Sequence, residues 1–289
     1  MLAFSASGRG LSVASKLLEL LAEAASNDWH LEAIAGSKRH CDGYGYIATV
    51  RMRDSRSWTV LYEKFDAYPM RGKEACEENL ARLKESMARL SIILDRASHA
   101  MAIVHSRKSS IGEPRGVVMA HPFREEIIFN IDGMWEVGEV YLAHNGGVDK
   151  RRLAEKLSLK DTYMAYTDSY IALKYLARRL NRTNLDKLRS KAFIEAEVSR
   201  LKDYVYKNSA LNLAIMLVSK SIDPILLAYG YVKSPISDKA RWNYYRPIVA
   251  WSKGISAYMS STIWDLAKRE LIFYEHDIIH DKLVILRYS

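Results

Sequence analysis

The chain has 289 residues, 49% of them hydrophobic and 27% charged, enough to bury a sizeable core and longer than the usual single domain, so that one large domain or two fused layers both fit. Lys plus Arg outnumber Asp plus Glu by 43 to 34, a net charge of +9, but the excess is spread along amphipathic segments such as residues 150–160 and 178–191 with no nucleic-acid motif beside it, so nucleic acid is disfavoured as a partner. No run of roughly 18 apolar residues occurs, no signal-peptide succession opens the chain, and two cysteines are too few for a disulfide framework; together these point to a cytoplasmic protein with no membrane partner, in which Cys41 and Cys76 are half-buried structural thiols.

Residues 2–5 read as a short strand, Gly8 and Gly10 as a turn, and residues 11–25 as an amphipathic helix. Residues 46–53 and 58–64, rich in β-branched and aromatic side chains and separated by a polar stretch, predict a hairpin. A long helix is expected over 74–96, with Leu80, Leu83, Met87, Leu90 and Leu94 on one face. Strand-like runs follow at 100–105, 116–120, 127–131 and 137–143. The pattern is helical over 150–207, with Thr167 and Asp168 at a helix start. After Asn208 short β-rich runs return at 213–219, 225–232, 245–251, 255–260 and 283–288, punctuated by Gly230, Pro235 and Gly254. Strands, then helices, then strands predict segregated elements: two stacked sheets with helices outside them, in a single domain over 1–289.

Polar residues and glycines gather at the ends of these elements in four places: His40-Cys41-Asp42-Gly43-Tyr44-Gly45, His105-Ser106-Arg107 through Ser110-Ile111-Gly112, His144-Asn145-Gly146-Gly147, and Thr167-Asp168-Ser169. Such ends are where a rigid scaffold presents functional groups. Arg107 can pair bidentately with an α-carboxylate and Asp168 can hold an α-ammonium. Asn145 and the N–H of Gly146 can donate to the oxyanion of a tetrahedral amide-hydrolysis intermediate. Each residue also has a plain structural reading: Arg107 as a surface ion-pair residue, Asp168 as a helix-start carboxylate, Asn145-Gly146 as a turn. Gly43 and Gly45 read as close-packing glycines. His105, His121 and His144 read as buried hydrogen-bonding residues, since their spacing matches no familiar metal site. A competing metal reading uses His276 and His280 with Glu275, Asp277 and Asp281 on a helix, but the flanking runs favour a solvated strand end.

Taken in order, HxDGxG (His40 to Gly45), HxRxxxxG (His105 to Gly112), HPF (His121-Pro122-Phe123), HNG (His144-Asn145-Gly146) and TDS (Thr167-Asp168-Ser169) resemble the succession in the glutaminase domains of class II glutamine amidotransferases, and the small standalone members most. The resemblance covers the first 180 residues. It implies an α+β fold, a four-layer αββα sandwich of two mainly antiparallel sheets of the N-terminal-nucleophile hydrolase kind. It also implies a cysteine directly after the initiator Met, whose thiol attacks the amide of glutamine or of a γ-glutamyl small molecule with the α-amino group as base. Arg107, Ser110 and Asp168 would bind the substrate, and Asn145 and Gly146 would stabilise the oxyanion. No cofactor is implied. The ammonia would pass to an acceptor enzyme or be released, and a homo-oligomer is compatible.

The chain departs from the pattern at Lys108, where an aromatic is frequent, at Ile111, where a polar side chain is frequent, and at Tyr170, where a glutamate is common. Its opening differs most. Met1-Leu2-Ala3-Phe4 matches the apolar stretch that follows Cys-x in the family, so the register is best with two residues, one a cysteine, ahead of Met1. With Leu2 in the cysteine's place the chain would be inactive, a binding module for glutamine or a partner enzyme.

Overall fold

The computed structural model describes residues 1–110, 112–233 and 238–288; Ile111 and Pro235, noted above, lie outside them. In chain order the first half runs β1 (Leu2–Ser7), α1 (Gly10–Ser26), α2 (Trp29–Ala35), β2 (Tyr44–Met52), β3 (Thr59–Phe65), α3 (Gly72–Leu94), β4 (Ala97–Ser106), β5 (Phe123–Ile131) and β6 (Met134–Gly146). A helical stretch follows: α4 (Lys150–Leu157), α5 (Asp168–Leu180), the short β7 (Thr183–Asn184), α6 (Leu185–Arg189) and α7 (Lys191–Ser199). The chain closes with β8 (Leu211–Ser219), β9 (Ile225–Gly230), α8 (Lys239–Tyr245), β10 (Ile248–Ser252), β11 (Ile255–Met259), α9 (Ser261–Glu270), β12 (Glu275–Ile278) and β13 (Lys282–Ile285).

The strands form two sheets, ordered β12-β10-β11-β1-β4-β2-β3 and β13-β9-β8-β6-β5-β7. Every pairing is antiparallel except the short parallel one between β5 and β7. Alternation along the strands sorts side chains into three apolar layers. Leu2, Phe4 and Ala6 of β1 face α1, α3 and α9, whose Leu17, Leu83 and Ile263 complete that layer. Ala3, Ile47 and Ile103 point the other way and meet Ala143, Met216 and Ala228 of the second sheet. On the far side, Leu142 and Leu213 meet Leu153, Ile171, Leu176 and Ile194 of α4, α5 and α7. The result is a mixed α+β molecule with two sheets, compatible with a sandwich flanked by helices. Among the described residues no helix is long and apolar enough to cross a membrane.

Most elements fall where the apolar periodicity puts them, including the 2–3 hairpin and the capped start of α5 at Thr167, whose hydroxyl accepts from Tyr170 N. Residues 116–120 are a correction. Gly116 takes φ 111° and Val117–Met119 makes a 3-10 turn, with Val117 and Val118 exposed, before the cis His121–Pro122 bond; an apolar run this short is no strand without a neighbour to pair with. The segment after Asn208 is not purely β either, since α8 and α9 interrupt it.

The cysteines are the second correction. Cys41 and Cys76 are joined in a disulfide, with Cα atoms 4.8 Å apart. The loop after α2 and the first turns of α3 are neighbours in space although 35 residues apart in sequence, which a count of cysteines does not reveal. The thiol pair therefore lends no support to a reducing compartment. Closing a loop of that size should stabilise the fold by about 3–4 kcal/mol. Replacing both cysteines by serine should accordingly lower the urea midpoint; an unchanged midpoint would refute a stabilising role for the bridge.

Candidate functional site

One wall of the cavity onto which these motifs converge comes from the first sheet. β2 and β4 pair with Tyr44 opposite Ser106 and Gly45 opposite His105, so two motifs distant in sequence meet at one sheet end. The pairing runs on past the strands: Arg107 N donates to Gly43 O at 2.8 Å and Asp42 N to Arg107 O at 2.9 Å. Gly45 has to be glycine, because a Cβ there would lie 2.5 Å from the carbonyl oxygen of His121. The Asp42 carboxylate accepts from Ser109 N at 2.9 Å and pairs with Arg115 at 3.3 Å and Lys108 at 3.6 Å. That aspartate thereby pins down the loop that carries Arg107 and, at the cavity rim, the exposed Ser110.

Arg107 is 5% exposed, and its Nη1 donates to Pro114 O at 3.1 Å. Among the described residues no carboxylate comes within ion-pair distance of it. Burial draws its pKa down, while the more distant carboxylates of Asp168, Asp42, Glu113 and Asp66 draw it up. A buried guanidinium with a single backbone acceptor is expensive unless an anion joins it.

The second sheet and α5 build the opposite wall. Gly147 N donates to Ala210 O at 3.2 Å, and Gly146 sits opposite Leu211. Antiparallel alternation then turns the Gly146 N–H to the other edge of β6, beyond the point where β5 ends at Phe123 opposite Leu142. Asn145 lines the cavity one residue earlier. Asp168 opens α5: its Oδ2 accepts from Val148 N at 3.0 Å, and its Oδ1 accepts from Ser169 N at 2.7 Å. The Ser169 hydroxyl, 4% exposed, lies 3.1 Å from Asp168 Oδ1 and 3.0 Å from His144 Nδ1, so it braces the aspartate and is not placed to attack a ligand.

Residues at the start of the chain and on the first sheet's helices complete the cavity. Met1, Asp28, His40, Tyr244 and Ser260 line it. Asp28 caps α2, accepting from His30 N and Leu31 N, and also accepts from Thr262 Oγ1 at 2.6 Å and contacts His40 Nε2 at 2.8 Å. Burial pushes the Asp28 carboxyl up, but the His40 and Thr262 contacts outweigh it and leave the pKa lowered. Burial brings the Met1 α-amino group down to about 6, against the pull of Asp28.

His105, His121 and His144 are buried and hydrogen-bonding, as their sequence contexts suggest: the His105 and His121 Nδ1 atoms lie 3.1 Å apart, and His144 meets Ser169. Burial holds the first two well below the usual imidazole range, with the neighbouring ring and Arg107 adding to it. Neutral rings beside Arg107 leave the guanidinium as the dominant cation of its wall.

Arg107, Ser110, Asn145, Gly146 and Asp168 thus border one cavity, with a cation on one wall, a carboxylate on the other and donors at a strand end between them. That polarity matches an α-amino acid whose side chain reaches the strand end. The HxDGxG motif contains His40 and Asp42 but assigns them no role in the site, and Asp28 belongs to no motif; all three take their positions here from contacts between distant segments. The competing metal reading has no geometry behind it. His276 packs on Trp264 and His280 on Tyr231, in β12 and the turn after it, and the described residues contain no metal-holding cluster of His, Cys, Asp and Glu. No protein-family model matches the chain, and no curated protein is matched by its sequence.

Proposed function

We propose that this chain is a glutaminase of the class II amidotransferase kind, an N-terminal-nucleophile αββα protein that hydrolyses glutamine or a γ-glutamyl amide and delivers ammonia to an acceptor enzyme or to solvent. The observation that carries the reading is Arg107, a buried cation lacking an acid partner among the described residues, across a cavity from Asp168. In this reading the substrate carboxylate pairs with Arg107 and its ammonium with Asp168. The side-chain amide then meets a thiol carried two residues ahead of Met1. The α-amino group takes the thiol proton, sulfur attacks the amide carbon, and Asn145 and Gly146 N–H stabilise the oxyanion. The proton passes to the leaving nitrogen, ammonia departs, and water cleaves the thioester to glutamate.

Strand parity supports that position for the thiol. Met1 and Ala3 face the second sheet, whereas Leu2 faces the helices, so a residue two before Met1 faces the second sheet too. Continuing the register Leu2 opposite Val104 sets that residue opposite Arg107.

Two forms of the protein test the proposal: the chain as given, and the chain preceded by Met-Cys-x. Only the second should release glutamate and ammonia from glutamine, and changing its added cysteine to alanine should abolish turnover. If neither form turns over yet both bind glutamine by calorimetry, the chain is an amino-acid-binding module and the enzymatic reading fails.

A further inference from the structure

Tyr62 and Lys64 of β3 lie opposite Ile47 and Gly45 of β2. Ile47 belongs to the layer between the sheets, so alternation along β3 turns Tyr62 and Lys64 toward the second sheet. There they meet the start of β5 at Phe123, the first turn of α5 at Tyr170, and the turn Val117–Met119. These segments border a cavity of about 440 Å³, a size that suits a small organic ligand. It shares no lining residue with the cavity of Arg107 and Asp168. The HPF motif stands between the two: His121 lines one and Phe123 the other, with ring centroids 4.8 Å apart.

The rings of Tyr62, Phe123, Tyr166 and Tyr170 line this second cavity. Phe123 and Tyr170 have centroids 5.3 Å apart with their planes at 45°, and Tyr170 and Tyr166 are 5.1 Å apart at 49°. Rings tilted in this way offer faces and edges against which a further flat ring can pack, offset or edge-on. The Tyr62 hydroxyl donates to Pro122 O at 2.9 Å and the Tyr170 hydroxyl to Glu125 Oε1 at 2.7 Å. With those phenols engaged, the two tyrosines present carbon to the cavity and not donors.

Lys64 supplies the charge. Its Nζ lies 4.8 Å from the Phe123 centroid and donates to Val118 O at 3.0 Å. An ammonium has three protons to donate, and among the described residues no carboxylate comes within ion-pair distance of this one. Arg124, the other cation on the lining, is already paired with Glu139 at 2.6 Å and with Glu126 at 3.4 Å. Burial draws the Lys64 ammonium down to about 8, and the charge of Arg107 adds to the effect. A half-buried cation set among rings without an acid partner is costly, and an anion brought in by a ligand would relieve that cost.

We propose that this second cavity binds a small planar aromatic carboxylate, its ring packed among Phe123, Tyr166 and Tyr170 and its carboxylate on the Lys64 ammonium. The site is independent of the glutaminase reading, and its test uses the chain as given. Calorimetry with 2-naphthoate should show saturable one-to-one binding at roughly 100 µM or tighter, within reach of a ligand of that size. The neutral 2-naphthamide should bind roughly tenfold more weakly, and Lys64→Met should reduce naphthoate to the level of the amide, as loss of a charge-assisted pair does. Decanoate, a flexible acid without a ring, should bind more weakly than naphthoate. Arg107→Ala should bind naphthoate as the native chain does.

Should Lys64→Met not fold, acetylation of the native chain's amines, followed by mass spectrometry, reads out the same contact. Saturating naphthoate should slow labelling of Lys64 and leave the exposed Lys73 unaffected. Equal affinity for naphthoate and naphthamide overturns the role of the charge, and decanoate binding as tightly as naphthoate overturns the aromatic class. Absence of naphthoate binding, loss of it in Arg107→Ala, or labelling of Lys64 that naphthoate does not slow overturns the site.

Discussion

Arg107→Ala should weaken glutamine binding by roughly 10- to 100-fold, the loss expected for a charge-assisted pair in a desolvated site. The measurement is calorimetric and uses the chain as given, so it does not depend on turnover. Stability supplies the second half of the test. If Arg107 were an ordinary structural ion-pair residue, its removal would orphan a buried carboxylate and lower the melting temperature. It has no such partner among the described residues, and its Nη1 makes one bond to the backbone at Pro114. Removing an unpaired buried cation should leave the melting temperature unchanged or raise it, since burial of that charge costs stability in the unliganded protein. Arg107→Lys should not restore binding, because an ammonium does not reproduce a bidentate fork. Unaltered affinity, or lost affinity together with a large loss of stability, would count against a clamp.

The layered α+β order was legible because strands buried on both faces read as nearly unbroken apolar runs, as in β1, while helices such as α1 and α3 keep a 3.6-residue stripe. What the sequence hid were elements whose identity depends on tertiary neighbours. Val117–Met119 has strand-like residues, but Gly116 at positive φ turns the chain and no described strand pairs with the segment, which closes as a 3-10 turn. Helix α9 contains Ser, Thr, Ile and Trp in its first four positions, all of modest helix propensity, and is held by the burial of Ile263, Leu266 and Ala267 against α1 and the first sheet. The disulfide follows from the approach of two segments that no local pattern places side by side.

The cavity was legible in part for a different reason. Residues at the ends of adjacent strands are brought together by ladder register, so Gly45 opposite His105 and Gly146 opposite Leu211 follow once the strands pair. The supports were harder to see. Asp42 acts through backbone N–H groups and cations of a loop far along the chain, and Asp28 through His40 and Thr262. These contacts have no sequence period, and a lone carboxylate reads equally well as a cap or a surface charge.

Asn145 and Gly146 separate a catalytic donor from a structural glycine, and the two substitutions should fail differently. Asn145→Ala in the form carrying the added cysteine should lower kcat by roughly 100-fold or more while KM changes little, because an oxyanion donor acts on charge that develops only in the transition state. Stability should hardly move, since among the described residues the Asn145 side chain has no hydrogen-bond partner to lose. Gly146→Ala cannot be so selective. Its Cβ would lie 1.8 Å from Ala210 O, at a φ of 145° that side-chain-bearing residues rarely adopt, so β6 and β8 must move apart at the strand end that aims the N–H. That variant should lose turnover and melting temperature together. A drop in KM-dependent binding alone for Asn145→Ala would assign the amide to substrate recognition and leave Gly146 N–H as the sole oxyanion donor from this pair.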